Sequence, residues 1–282
     1  MTTSITVFGL GLMGRPMARI LLARGFPVKG WNRSALDPAL TEGIPLASSL
    51  ADAAASDICL LMLADSDAVD AVLALLDPLL RQGQTVLDMG SSDPARSRIH
   101  ATRLQGRGIA WIDAPVSGGP EGAASGTLAI MAGGAKEHLA RARPVLEALG
   151  NVVHVGGPGS GHLVKVLNQV IVGLTIEAVA EALTLAERSG IDPRLVQQAL
   201  QGGFADSRVL QIHGTRMIER AYAPGGKART QLKDLRLALA LAEAAGVELP
   251  HTRSAASRYE TLVERGGGDL DHSALHTLLA GS

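Results

Sequence analysis

The chain has 282 residues and a formal net charge of −1, from 26 Lys and Arg against 27 Asp and Glu. Hydrophobic residues make up 46% and charged residues 19%, which excludes a disordered chain and leaves room for two domains of about 100–200 residues. Aromatic residues are only 2% of the chain. Binding of single-stranded nucleic acid needs aromatic platforms and a basic groove, so we expect no nucleic-acid partner.

The single cysteine and the amino terminus predict the compartment. Cys59 cannot form an internal disulfide and lies in an apolar, strand-like run over 58–63, which fits a reducing environment. The first four residues lack the basic flank and long apolar stretch of a signal peptide, and no run of about 18 apolar residues is evident. We predict a cytoplasmic protein with no membrane partner.

In the first half of the chain, strand-like runs alternate with helix-like runs. Strands are predicted at Ile5–Phe8, Val28–Trp31, Ile58–Leu63, Thr85–Asp88, Ile109–Asp113, Leu128–Ala132 and Val152–Val155, with helices over 14–23, 48–55, 68–80, 94–104 and 136–149. This alternation is typical of βαβ units and predicts a doubly wound parallel sheet, covered by helices on both faces.

The second half predicts helices only. One long helix over 162–187 is followed by helices over 193–201, 207–219, 232–245, 251–265 and 273–279. The predicted fold class is therefore α/β. A Rossmann-type cofactor domain over 1–161 is joined through the long interdomain helix to an all-α substrate and oligomerisation domain over 162–282.

Gly9, Gly11 and Gly14 have the GxGxxG spacing, directly after the first predicted strand and at the start of a helix. In this context the first glycine makes the tight turn, the second lets backbone N–H groups approach a pyrophosphate, and the third packs the helix on the strand. Leu12 and Met13 complete the loop. We predict a dinucleotide cofactor here.

The segment after the second strand is Asn32-Arg33-Ser34, with no carboxylate before Asp37. A guanidinium and a hydroxyl suit a 2′-phosphate, whereas an acid at this place would repel it. The segment therefore favours NADP, with NAD still possible, and a solvated surface arginine is the alternative interpretation of Arg33.

Further residues are predicted to line the cofactor and substrate sites because they follow strands at the same edge of the sheet. Leu63 and Ala64 follow the third strand, and Ser92 follows the fourth, where it could instead cap the next helix. The turn Ser117-Gly118-Gly119 offers a hydroxyl and backbone N–H groups to a substrate carboxylate, although turns of this composition also occur without a ligand.

Lys165 and Asn168 are three residues apart near the start of the long helix, so they share one face, which we expect to look into the cleft between the domains. A lysine with apolar neighbours is partly desolvated, which makes it a usable proton donor. Most lysines near a helix end are simply solvated, and the spacing alone does not exclude that role.

Four blocks in this order resemble the β-hydroxyacid dehydrogenase family, which includes 3-hydroxyisobutyrate dehydrogenase, tartronate semialdehyde reductase and the glyoxylate/succinic semialdehyde reductases. The blocks are Gly9–Ala18, Asp113–Leu128, Gly159–Asn168 and Lys233–Ala238, and they span nearly the whole chain. The Met-Gly-x-Pro-Met-Ala extension of the first block is far more specific than GxGxxG.

The resemblance implies roles for the matching residues. Lys165 would be the general acid/base, and Asn168 would hold it and the substrate in register. Ser117, Gly118 and Gly119 would bind the substrate carboxylate.

Ser92 would lie beside the nicotinamide, Lys233 would approach the cofactor, and Asp234 would face the substrate. The family's NADP-dependent members carry a segment like Asn32-Arg33-Ser34. The helical domain is expected to resemble that of 6-phosphogluconate dehydrogenase, and long apolar helices in it predict a homodimer or homotetramer.

Three positions depart from the family pattern. His162 replaces a glutamine, and Gln169 replaces the second asparagine of a common pair. Gly226 stands where semialdehyde reductases of this group tend to have phenylalanine, which predicts a polar pocket with Lys227 or Arg229 near the substrate.

The sequence thus predicts an NADP-dependent oxidoreductase that interconverts a small, carboxylate-bearing β-hydroxy acid or related hydroxy acid with its semialdehyde or keto form, with no metal. One alternative is an NAD-dependent 3-hydroxyisobutyrate-type dehydrogenase. The other is a catalytically silent module that binds NADP without turnover.

Overall fold

The computed structural model describes residues 3–280. The chain divides into two compact units between Lys165 and Val166, inside one helix and about one turn after the predicted boundary at Gly161.

Within the described residues, the first unit contains eight strands and the helices between them. The strands are β1 (Ile5–Phe8), β2 (Val28–Trp31), β3 (Ile58–Leu61), β4 (Thr85–Asp88), β5 (Ala110–Asp113), β6 (Val116–Ser117), β7 (Leu128–Gly133) and β8 (Gly150–Gly156). The helices are α1 (Gly14–Ala23), α2 (Pro38–Thr41), α3 (Leu50–Ala54), α4 (Ser66–Leu76), α5 (Pro94–Gln105), α6 (Gly119–Ser125) and α7 (Lys136–Leu149), with a 3-10 turn at Asp77–Leu79. The short elements α2, β6 and α6 are absent from the sequence prediction because each lies in a segment rich in proline or glycine.

The sheet has the strand order β2-β1-β3-β4-β5-β7-β6, and β8 pairs with β7. The first five strands of this order are parallel, but β7 runs antiparallel to both β5 and β6, so the prediction of a parallel sheet is wrong at this side. The connection from β5 to β7 contains only a two-residue strand and a seven-residue helix. A connection this short lets β7 run antiparallel to β5. The longer helical crossovers between the earlier strands keep those strands parallel.

Alternate residues of the parallel strands face two separate cores, as a doubly wound sheet requires. Leu60 of β3 packs in a core with α1 and α7, whereas its neighbours Cys59 and Leu61 pack in a core with α4 and α5. Because both faces are buried, these strands consist mostly of apolar residues, which is the pattern that predicts them in the sequence.

The second unit is helical. It contains most of α8 (Ser160–Arg188), then α9 (Pro193–Leu200), α10 (Thr215–Ile218), α11 (Ala228–Ala244), α12 (Pro250–Glu264) and α13 (Thr277–Ala280), with 3-10 turns at Gly267–Asp269 and His272–His276. The predicted helix over 273–279 is therefore split between a 3-10 turn and α13.

The helix predicted over 207–219 is shorter and irregular. A π-helical segment, Leu210–Gly214, precedes α10, and the side chain of Gln197 on α9 donates through Nε2 to the carbonyls of Leu210 (2.8 Å) and Gln211 (3.2 Å). A side chain that bonds helix carbonyls competes with the regular ladder, which accounts for the irregularity.

By length and composition alone, helix α8 could cross a membrane, although Lys165, Asn168 and Glu177 interrupt its apolar residues. Core helices of soluble proteins meet the same criterion. In the second unit Ile176, Val179 and Leu183 of α8 are buried against Leu210 and Met217. Its apolar residues therefore supply part of this unit's core.

Leu73→Ala should destabilise the first unit by about 2–5 kcal/mol, because Leu73 is fully buried and its truncation leaves a cavity. Leu75→Ala on the same helix is the matched control: Leu75 is 50% exposed and should cost no more than about 0.5 kcal/mol. Both tryptophans, Trp31 and Trp111, lie in the first unit, so tryptophan fluorescence in urea measures its unfolding. Equal midpoints for the two variants would contradict the assigned core.

Candidate active site

The three glycines of the loop between β1 and α1 have three different environments. Gly9 has φ +96°, and a Cβ there would lie 2.4 Å from the carbonyl oxygen of Met62. A Cβ on Gly14 would lie 1.9 Å from the carbonyl oxygen of Gly9, whereas a Cβ on Gly11 would meet no atom within 4 Å. The first and third glycines are thus required by the fold, and the second leaves open space above the loop. Such a cradle fits the pyrophosphate of a dinucleotide.

Asn32 holds this loop against the end of β2. Its Oδ1 accepts from the backbone N–H of Leu10 (3.2 Å), and its Nδ2 donates to the carbonyl of Ser34 (2.8 Å). The side chain predicted to touch the cofactor therefore has a structural role within the loop.

Arg33 and Ser34 are exposed next to the same loop. The first acid after them, Asp37, accepts from the backbone N–H of Ala39 (3.0 Å) and caps α2. A positive side chain and a hydroxyl are thus available beside the glycine loop, and the nearest carboxylate of this segment is committed to a helix N-terminus.

The other predicted cofactor residues follow β3 and β4 at the same edge. Leu63 is half-buried, with its Cδ2 3.0 Å from the Cβ position of Gly9, and Ala64 is exposed. Ser92 is buried, and its hydroxyl donates to Oδ2 of Asp88 (3.0 Å). This bond, rather than the predicted capping of the next helix, occupies Ser92. Asp93 caps α5 instead.

A buried carboxylate fixes the start of α8, a feature that sequence reasoning missed. Oδ1 of Asp113 accepts from the N–H of Gly159 (2.8 Å), and Oδ2 accepts from the N–H of His162 (3.1 Å). Burial raises the pKa of Asp113, against the opposing effects of the nearby His162 and of these N–H groups. The signal in the sequence was an acid at the end of an otherwise apolar strand.

His162 extends this network to two more elements. It is fully buried, with Nδ1 2.6 Å from the hydroxyl oxygen of Ser97 on α5 and Nε2 3.6 Å from Oδ2 of Asp88 on β4. Lys165, half-buried, lies one turn further along α8. The residue predicted to transfer protons thus follows a helix turn that is held from three sides.

The turn Ser117-Gly118-Gly119 joins β6 to α6. Gly118 and Gly119 have φ +136° and +66°, a conformation open to glycine, and Ser117 is half-buried. Successive N–H groups in a turn can form an anion-binding concavity, and that is the kind of site predicted here for a substrate carboxylate.

In the second unit, two of the predicted residues form an ion pair. Nζ of Lys233 lies 3.2 Å from Oδ1 of Asp234, which is buried on α11. Asn168 is half-buried on α8, and its Nδ2 donates to Oε1 of Gln169 (2.8 Å).

Lys227 and Arg229 both bind Asp269, which the sequence prediction did not foresee. Nζ of Lys227 lies 2.9 Å from Oδ1 of Asp269, and Arg229 contacts both of its oxygens (3.1 and 2.6 Å). The bonds lower the pKa of Asp269. These two cations have a structural partner, and nothing in the structure supports their predicted position near a substrate.

The segment at Gly225 and Gly226 is held by Asp271. Its Oδ2 accepts from both backbone N–H groups (2.9 and 3.2 Å) and pairs with Arg216. Nδ1 of His213 lies 3.3 Å from its Oδ1. Burial acts to raise the pKa of Asp271, but hydrogen bonds and the neighbouring histidines outweigh it and lower the pKa.

His213, Asp271 and His272 are close enough to hold a metal ion as a group. Nε2 of His272 lies 3.2 Å from Nε2 of His213, within hydrogen-bond distance, and Ser273 donates to Oδ1 of Asp271 through its backbone and its hydroxyl. These hydrogen bonds explain why the three side chains lie together: they anchor the carboxy-terminal segment.

Comparisons with known proteins agree with this fold and loop. Residues 4–157 match the NAD binding domain of 6-phosphogluconate dehydrogenase, and residues 159–279 match the NAD-binding domain of NADP-dependent 3-hydroxyisobutyrate dehydrogenase. The chain is 42% identical over 276 residues to 2-hydroxy-3-oxopropionate reductase of Escherichia coli (strain K12), covering 95% of this chain and 94% of the relative.

Two further proteins are similar over nearly their whole length. The chain is 34% identical over 289 residues to the NAD-dependent L-serine dehydrogenase of Pseudomonas aeruginosa, with 97% of each chain covered. The solved structure of Mycobacterium tuberculosis 3-hydroxyisobutyrate dehydrogenase with L-serine has a TM-score of 0.86 and 29% identity, and the match covers 100% of both chains.

The Rossmann-type unit, its glycine cradle and the helical second unit define a nicotinamide dinucleotide-dependent oxidoreductase. More narrowly, the chain belongs to the β-hydroxyacid dehydrogenase family. It is an NAD(P)-dependent enzyme that acts on the CH–OH group of small hydroxy acids.

Gly11→Ala should weaken the binding of both NADPH and NADH about 10-fold or more, because the added methyl group enters the open space that the pyrophosphate needs. The unfolding midpoint should stay within about 1 °C, since no protein atom lies within 4 Å of the new Cβ. Gly14→Ala is the contrasting variant and should lower the midpoint by several degrees through its clash with Gly9. Fluorescence titration and thermal unfolding measure the two effects, and unchanged cofactor affinity in Gly11→Ala would refute the cradle.

Proposed function

We propose that this enzyme prefers NADP and interconverts a small β-hydroxy acid, or a related hydroxy acid, with its semialdehyde or keto form. The observation that carries the cofactor preference is the exposed pair Arg33 and Ser34 beside the glycine loop, with Asp37 committed to α2. A guanidinium binds a phosphate dianion through charge-assisted hydrogen bonds, and a free acid here would oppose it.

Lys165 is proposed as the general acid/base. The nicotinamide, when bound, donates or accepts the hydride. In reduction Lys165 gives a proton to the carbonyl oxygen of the substrate, and in oxidation it takes the hydroxyl proton back.

The remaining predicted residues are proposed to bind the substrate and cofactor. The N–H groups of the turn at Gly118 and Gly119, with the hydroxyl of Ser117, are suited to the carboxylate of the substrate. Asn168 would hold Lys165 and the substrate in register. Lys233 and Asp234, which form an ion pair on α11, are proposed to approach the cofactor and to face the substrate respectively.

NAD-linked oxidation is the second candidate, since the L-serine dehydrogenase relative is named as NAD-dependent. The two candidates differ at Arg33 and Ser34, which NAD leaves without a phosphate to bind. They also differ in direction, because NADP-linked enzymes of this kind would act as reductases.

We further propose that the enzyme works in the cytoplasm as a homodimer or homotetramer. Burial raises the pKa of the Cys59 thiol to about 12, which keeps the lone cysteine in the thiol form and suits a reducing compartment. On α8, Leu167, Ile171 and Leu185 are exposed apolar residues that a second copy of the chain would cover.

Arg33→Ala should raise the KM for NADPH about 10- to 100-fold and leave the KM for NADH nearly unchanged, because a lost hydrogen bond to a charged group costs about 1.5–3 kcal/mol. Absorbance at 340 nm with glyoxylate, semialdehydes and hydroxy acids measures both constants. Arg141→Ala, an exposed arginine on α7, is the control. An unchanged NADPH constant in Arg33→Ala would reject the NADP preference.

Lys165→Ala should lower kcat about 10²- to 10⁴-fold, as expected for loss of a general acid/base, while cofactor affinity changes no more than about twofold. Lys165→Arg should be equally impaired, because arginine keeps the charge but does not release its proton. Single-turnover hydride transfer and a fluorescence titration separate chemistry from binding. Wild-type turnover in either variant would exclude Lys165 as the proton donor.

A further inference from the structure

Three side-chain amides form a directed chain in the second unit. Nδ2 of Asn168 donates to Oε1 of Gln169 (2.8 Å), and Nε2 of Gln169 donates to Oε1 of Gln231 on α11 (2.9 Å). Nε2 of Gln231 donates in turn to the backbone carbonyl of Gln169 (2.8 Å). The chain therefore closes on α8, the helix from which it started.

The two glutamines are enclosed. Gln231 is 1% exposed and Gln169 is 9% exposed, so water is a poor substitute for either partner. A buried polar group left without a hydrogen bond costs about 1–3 kcal/mol, which holds each amide in the orientation that satisfies its neighbour. Gly173 makes room for this contact, because a Cβ there would lie 2.6 Å from Nε2 of Gln231.

The direction of these hydrogen bonds determines which atom of the Asn168 amide is available to other groups. Gln231 bonds a backbone carbonyl, which only accepts, so its Nε2 must point there and its Oε1 must point to Gln169. Nε2 of Gln169 is then the donor, and its Oε1 faces Asn168. This oxygen accepts a hydrogen bond from Nδ2 of Asn168. Oδ1 of Asn168 therefore points away from Gln169.

We infer that Gln231 and Gln169 are positioning residues for the reaction: they orient the amide of Asn168 so that its Oδ1 is presented as a hydrogen-bond acceptor. A lysine ammonium and a substrate hydroxyl are both donors, and a flipped amide would offer them N–H groups instead. This inference rests on the proposed function, in which Asn168 holds Lys165 and the substrate in register. It adds a residue of α11, far from Lys165 in sequence, to the groups that govern turnover.

Gln231→Met tests the inference, because it keeps the volume of the side chain but removes its donor and acceptor. We expect kcat to fall about 10-fold or more, since small misplacements of reacting groups are costly, while the Kd for NADPH stays within about twofold. Gln231→Glu should restore kcat to within about threefold of wild type even if it lowers stability, because a carboxyl oxygen still accepts from Gln169.

Gln197→Met is the matched control. Gln197 also joins two segments of the second unit, bonding the carbonyl of Leu210 and the hydroxyl of Thr215 (3.0 Å), but it takes no part in the chain that reaches Asn168. It should lower the unfolding midpoint without a comparable loss of kcat. Equal kcat losses in Gln197→Met and Gln231→Met, or no recovery in Gln231→Glu, would overturn the inference.

The Lys165 variants keep this outcome distinct from failure of the proposed function. If Lys165→Ala is inactive and Gln231→Met retains wild-type kcat, the positioning role is wrong and the proton donor stands. If Lys165→Ala retains wild-type kcat, the proposed function fails, and with it the premise on which the positioning role rests.

Discussion

The geometry of the first unit depends on the buried carboxylate of Asp113, which binds the first turn of α8. The N–H groups at a helix start have no partner within the helix and carry a partial positive charge, so a carboxylate suits them. The approach is close: a Cβ at Gly161 would lie 2.5 Å from the carbonyl oxygen of Asp113, and one at Gly133 would lie 2.7 Å from its Oδ2. Small residues at these positions let the strand ends and the helix start meet.

The contact has an electrostatic cost that its neighbours offset. Burying a carboxylate costs several kcal/mol unless charge and hydrogen bonds compensate, and the raised pKa of Asp113 shows that burial is the larger effect. Because the folded state then holds the proton more tightly than the unfolded chain, this group weakens the fold as pH rises above the usual range of an aspartate. The backbone amides and the imidazole of His162 limit that cost. Lys165 lies about one turn after this contact on the same helix.

Several of the polar residues predicted to bind cofactor or substrate have hydrogen-bond or ion-pair partners within their own unit. Ser92 binds Asp88, Asn32 holds the glycine loop, and Lys233 pairs with Asp234. Side chains fixed in this way are preorganised, which lowers the entropy that binding or chemistry would otherwise have to remove. The open space above Gly11 and the exposed Arg33 are the exceptions, and they lie where a cofactor would approach.

Local features were sufficient to predict the fold class and the cofactor loop. The buried strands are mostly apolar, helices recur between them, and the three glycines occupy one continuous turn, so each of these features can be recognised in a short window of sequence. The antiparallel direction of β7 is not visible in such a window, because it depends on how the chain returns to the sheet. The regular helix that the sequence predicts over 207–219 is also not observed, because the side chain of Gln197 on another helix bonds two of its carbonyls.

The sequence by itself determined which residue types stand at each strand end and helix start, and therefore the class of cofactor and the candidate acid/base. Only the tertiary structure decided the partner of each polar side chain: Asp113 with the start of α8, Gln231 with Gln169, and Asp269 with Lys227 and Arg229. These bonds join residues that are distant in the chain. Whether two such groups come within 3 Å depends on the packing of whole elements, and no spacing within a single element carries that information.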